Sequence, residues 1–97
     1  MKHRNEQTLG DAIREFFENN ATLRRKIGEI RVQRAWHEIL GPTVAHHTRN
    51  VYVKNGVLNV CLTSSVLRSE LLLHKTSLIK RLNEYAQADV IHEIVIR

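Results

Sequence analysis

WHEILGPTVAHHTRNVYVKNGVLNVCLTSSVLRSEL, residues 36–71 of the chain, passes from a helical period to a two-residue period and back again. Helix, hairpin and helix are predicted in that order. Two strand-like runs, Val51 to Lys54 and Val57 to Thr63, flank Asn55-Gly56, the dipeptide best suited to the positive φ angles of a tight type I′ turn. Val51 and Val53 fall on one side of the first run, with Tyr52 and Lys54 on the other. In the second run Leu58, Val60 and Leu62 share a side, with Asn59, Cys61 and Thr63 opposite. The hairpin should therefore present one apolar face and one mixed face.

Working outward toward the C-terminus, Ser64-Ser65 supply capping hydroxyls for one long helix reaching about Ala86. Leu67, Leu71, Leu78 and Leu82 form its apolar stripe, widened by Leu72, Ile79 and Ala86. Val66 and Leu73 stand off that stripe. They either reach another part of the core, which is the preferred reading, or form a small apolar contact for a protein partner. After Asp89 the segment VIHEIVIR is rich in β-branched residues and reads as a third strand. A right-handed crossover through the long helix allows it to pair in parallel with the second.

Toward the N-terminus, residues 1–7 are polar and read as a flexible arm. Thr8 with Asp11 forms a variant of the capping box. Leu9, Ile13, Phe16 and Phe17 then fall on one face of a first helix ending near Asn19-Asn20. Thr22 is taken as the cap of the next helical run, where Leu23, Ile27 and Ile30 share a face. The later set, Val32, Ala35, Trp36, Ile39 and Leu40, points nearly the opposite way. A break near Gly28-Glu29 is therefore expected, followed by a helix from about Arg31 to Leu40 that Gly41-Pro42 terminates. Trp36 lies on the apolar stripe with Val32 and Ile39 and is assigned to the core. Pro42 can open a short helical turn, Thr43 to His47, before the hairpin. The fold class is α+β, in the order α-α-β-β-α-β, with residues 8–97 forming one domain whose three-stranded sheet is covered by helices on one face.

A chain of 97 residues supports one modest core and no second domain. Fifteen Lys and Arg against ten Asp and Glu give a net charge of +5, so its surface should attract polyanions. Cys61 is the single cysteine, which excludes an intrachain disulfide and fits a reducing cytoplasm. No secretory h-region follows the basic N-terminus, and no apolar run approaches membrane-span length; neither export nor insertion is expected.

Reaction chemistry finds little support in the residues. His46-His47 lacks the spaced partners of a metal cage, Ser64-Ser65 precede a helix where capping is the default role, and Cys61 has no evident base beside it. Phosphate-cradling and dinucleotide-binding glycine motifs are absent. The expectation is a non-enzymatic protein with no cofactor, no metal and no small-molecule substrate. The basic residues are more suggestive. Arg24, Arg25 and Lys26, then Arg31 and Arg34, precede Trp36, and Arg49 and Lys54 flank the first strand. Arg68, Lys75, Lys80 and Arg81 line the long helix. Any one cluster is an ordinary solvated helix face, but together they suit phosphate contact without base readout. Tyr52, on the mixed sheet face, can stack on an unpaired base, the other reading being a strand-favouring surface residue.

Trp36 with Ile39 and Gly41, then Ala45, His47-Thr48 and the basic-flanked strand, open a pattern that continues through Asn55-Gly56-Val57-Leu58 to Val60. Ser64-Ser65 and Glu70-Leu71 in a leucine-rich helix complete it. In this order and spacing, from Leu9 to Ile96, the chain resembles the DciA family. The resemblance implies a K-homology (KH)-like fold, binding to single- and double-stranded DNA, and partnership with the bacterial replicative helicase during its loading. By analogy, Arg24, Arg25, Lys26, Arg31, Arg34, Arg49 and Lys54 would touch phosphate. An exposed edge or apolar patch would meet the helicase. Leu67 stands where the family usually has Trp, and no Gly-x-x-Gly loop is present to clamp a strand as KH domains do. Two other readings are a small protein-interaction adaptor and a KH-like RNA-binding protein.

Overall fold

Two positive φ angles, at Asn55 (53°) and Gly56 (77°), close the hairpin as the sequence requires of a type I′ turn. The computed structural model describes residues 8–97; the expected N-terminal arm, residues 1–7, lies outside them. Strands β1 (Thr48–Lys54) and β2 (Val57–Leu62) pair antiparallel, with Val51 opposite Val60 and Val53 opposite Leu58. Strand β3 (Glu93–Ile96) joins β2 in parallel, so β2 is central in the order β1-β2-β3. Leu58, Val60, Leu62, Ile94 and Ile96 are buried on the face that the helices cover. Opposite them lies the mixed face, with Tyr52 paired to Asn59, and Asn59 to Val95.

Helix α1 (Leu9–Glu18) starts on the Thr8–Asp11 capping box, with the Asp11 amide donating to Thr8 Oγ1 at 3.0 Å. Its apolar face is largely uncovered, with only Phe17 half-buried. Leu9, Ile13 and Phe16 are 78, 59 and 60 % exposed, and the helix buries no residue. Helix α2 (Ala21–His46) is capped by Asn20, whose side chain accepts from the Leu23 amide at 2.9 Å, rather than by Thr22.

The break expected near Gly28-Glu29 is absent; α2 is helical up to a non-helical Gly41 (φ 86°, ψ 176°), after which Pro42 opens a last turn to His46. The two conflicting apolar stripes are reconciled without a kink, because the first one stays largely outside the core. Ile30 is exposed and Leu23 and Ile27 are half-buried, whereas Val32, Ala35 and Trp36 are fully buried. Gly28 serves packing, not punctuation: a Cβ there would come within 2.9 Å of Val90 Cγ2.

The single long helix expected from Ser64-Ser65 to Ala86 is two helices, α3 (Ser65–Leu72) and α4 (Lys75–Ala86). Between them the amides of Leu73 and His74 donate back to Glu70 and Leu71, three residues away, tightening the chain into a corner. Tertiary packing explains the corner. Helix α3 lies on β2, while α4 packs on α2 and β3, and one straight helix cannot follow both lines. Leu73, at the corner, and Val66, in the first turn of α3, are 77 and 75 % exposed, so neither reaches the core as preferred from sequence.

Trp36 is completely buried and its Nε1 donates to Thr48 Oγ1 at 3.0 Å, which in turn donates to the Val44 carbonyl at 2.6 Å. That chain of bonds fixes α2 to β1 across the Gly41 corner. Strand β3 is shorter than the VIHEIVIR segment; its lead-in is held instead by Asn83. The Asn83 side chain accepts from the amides of Val90 and Ile91, both at 3.0 Å, and donates to the Ile91 carbonyl at 2.8 Å. The described molecule measures 64 × 24 × 20 Å.

Candidate nucleic-acid interface

Two cavities flank the N-terminal half of α2 and sort its basic residues. At 100° per residue, Arg24 and Arg31 share the side of α2 toward the α4–β3 loop, Lys26 lies on the side toward the hairpin, and Arg25 stands between them. The first cavity, about 380 Å³, brings Arg25 and Lys26 beside Val53, Lys54, Asn55 and Gly56 at the hairpin tip, with Glu29 as its acidic member. Residues thirty positions apart in sequence thus form one basic groove. The second, about 420 Å³, is lined by Arg24, Arg25 and Arg31 above Phe17, Ala21, Ile27 and Val90, with Asp89 as its acid. Arg25 lines both.

The remaining candidates are not gathered there. Arg34 is exposed on α2 but lines neither cavity. Arg49 is exposed at the irregular step in pairing between Thr48 and Asn50. Tyr52 lies on the mixed sheet face, on the same side as Lys54 and two residues from it, a separation of roughly 7 Å along a strand. The eight residues therefore form a hairpin-tip cluster, a second cluster across α2, and outliers, rather than one flank.

The described ion pairs are Arg14 with Asp11 and Lys75 with Glu93, so none of the candidate cations is neutralised by either. Lys75, one of the basic residues of the C-terminal helices, is committed to Glu93 at 3.1 Å. The Ile94 amide and the Lys75 ammonium together hold the Glu93 carboxyl below its ordinary value. Arg24 donates to the carbonyl of Glu18 and so caps α1 while its guanidinium stays at the rim of the second cavity.

His46 is exposed and its ring meets that of His47 edge-on, with centroids 5.2 Å apart; His47 Nδ1 lies 3.1 Å from Thr63 Oγ1. Among the described residues no group of three or more His, Cys, Asp or Glu is arranged to hold a metal ion, and no helix is long and apolar enough to cross a membrane. Sequence reasoning missed Phe17 as a cavity wall, having placed it only on the apolar face of the first helix, and missed Asn83, whose role depends on a loop eight residues away. A family model described as "Dna[CI] antecedent, DciA" matches residues 8–96. No curated protein matches the chain.

Proposed function

This chain belongs to the DciA family, which implies a role in loading the bacterial replicative helicase, and from that premise we propose that it is a non-enzymatic, DNA-binding accessory of DNA replication in the cytoplasm. The observation that carries DNA contact is the groove in which Arg25, Lys26 and Lys54 meet beside a single carboxylate, Glu29. Cations at such a groove bind phosphates without reading sequence and release counterions as they do so. Arg24, Arg31, Arg34 and Arg49 extend the positive field along α2 and the outer strand, and Tyr52 offers a stacking surface.

We read the β2-α3-α4-β3 unit as KH-like. The corner between its helices, Leu72-Leu73-His74-Lys75, has no glycine, so the backbone clamp of KH domains is replaced here by side-chain charge. The helicase is met by the bare apolar face of α1, where Leu9, Ile13 and Phe16 stand free of the core. A second reading, a protein adaptor that touches nucleic acid only weakly, draws on the same face together with Val66 and Leu73.

Two measurements decide between them. Affinity for a labelled oligonucleotide should fall steeply with rising salt. Arg25→Glu with Lys54→Glu should weaken binding at least ten-fold while leaving the circular dichroism spectrum unchanged. In a pull-down with purified replicative helicase, Ile13→Asp should reduce recovery whether or not single-stranded DNA is added. Salt-insensitive or undetectable DNA binding would leave the adaptor reading in place, and failure to recover helicase at all would remove the replication role. Matched DNA and RNA strands test the remaining alternative, an RNA binder, because discrimination by the 2′-hydroxyl needs dedicated contacts.

A further inference from the structure

We propose that the cavity between the α1–α2 corner and the α4–β3 loop receives one unstacked base of a single DNA strand whose phosphates lie in the hairpin-tip groove, an extension that rests on the DNA-binding reading above. Its walls are the Phe17 ring and the side chains of Ala21, Ile27 and Val90, while Arg24, Arg25 and Arg31 stand around it against one carboxylate, Asp89. An apolar interior carrying an aromatic ring, surrounded by guanidinium groups, complements a nucleotide: a flat base with a phosphate attached at its edge. At about 420 Å³ the space admits a single base and lies within the roughly 300–1,000 Å³ of small-ligand sites.

Continuity with the basic groove favours a nucleotide over an apolar side chain of a protein partner. Arg25 belongs to both cavities, so a strand held by Arg25, Lys26 and Lys54 passes directly to the mouth of the second. Arg24 is held at that mouth by its bond to the Glu18 carbonyl. A duplex keeps its bases paired and stacked, and so engages the groove without filling the cavity. Single strands are therefore the preferred ligand.

The test compares a labelled single-stranded oligonucleotide with one of equal length whose central residues are abasic, by fluorescence anisotropy on the full chain at fixed salt. The phosphate number is the same in both, so the electrostatic contribution cancels. The base-bearing strand should bind roughly ten-fold more tightly, in keeping with loss of one stacked base, and the two salt slopes should match. Ala21→Phe, which fills the cavity from an exposed position in the first turn of α2, should bring the two affinities together, as should Phe17→Ala, with circular dichroism confirming the fold of each. Equal affinities in the unaltered protein overturn the base site while leaving the phosphate reading intact, whereas no binding to either strand overturns both. A preference abolished by Tyr52→Ala but not by Ala21→Phe puts the base on the sheet and overturns the proposal. So does an Ala21→Phe variant that loses helicase recovery while keeping its DNA preference, since the cavity then serves a peptide.

Discussion

Thr48 shows how much one hydroxyl can decide. It accepts from the indole of Trp36, the largest fully buried side chain among the described residues, and donates to the Val44 carbonyl, so it closes two polar valences beside a core that, among the described residues, contains no buried polar or charged one. Thr48→Val keeps the shape and removes both bonds, leaving a buried indole N–H unpaired; stability in urea should fall by about 1–3 kcal/mol, and Thr48→Ser should recover much of it. A loss below about 0.5 kcal/mol would mean that water replaces the hydroxyl. The placement of Trp36 in the core follows from its stripe with Val32 and Ile39, but nothing in the local sequence marks Thr48 as its partner. Gly28 teaches the same lesson with the opposite sign. Read along the chain it is a helix breaker, yet it is the point where a Cβ would come within 2.9 Å of Val90 Cγ2, so that Val90 would have to shift.

The helices and strands were legible wherever a local rule had no competitor. Alternation plus Asn-Gly predicts the hairpin, the Thr8–Asp11 pair starts α1, and Gly41-Pro42 turns the chain at the corner before the sheet. The corner between α3 and α4 was not legible. Leu67, Leu71, Leu78 and Leu82 keep one helical stripe straight through it, and no Gly or Pro interrupts them. It is set from outside, by the packing of α3 on β2 and of α4 on α2 and β3, and an exposed ion pair joins Lys75, the first residue of α4, to Glu93 at the start of β3. Because the Glu93 carboxyl is held below its ordinary 4.5, its contribution is present above that value and is lost as pH falls through the folded-state value. Glu93→Gln should therefore lower stability near neutrality and converge with the parent protein in strong acid, as read from thermal unfolding at a series of pH values. A constant offset at every pH would assign the effect to packing instead.

At the level of the molecule, shape is the consequence that sequence patterns do not carry. The radius of gyration is 17.1 Å, whereas a compact chain of this length is expected at about 12.5 Å. Small-angle scattering on the full chain should return at least 17 Å; a value near 13 Å would mean that α1 folds back and that its apolar face is not free for a partner. Composition, period and turn chemistry settled the hairpin, the start of α1, which strand faces are apolar and the net positive charge, because each depends on composition or on residues close together in the chain. Which basic residues share a groove was beyond them. Arg25 and Lys54 meet only because the hairpin tip comes to rest beside α2, and Arg24 and Arg31 turn away from that groove because α2 stays straight through Gly28. Local spacing fixes the direction of each side chain about its own axis. The meeting of two axes depends on the packing between them: the Trp36–Thr48 bond ties α2 to β1, and Gly28 lets Val90 of the α4–β3 loop close against α2.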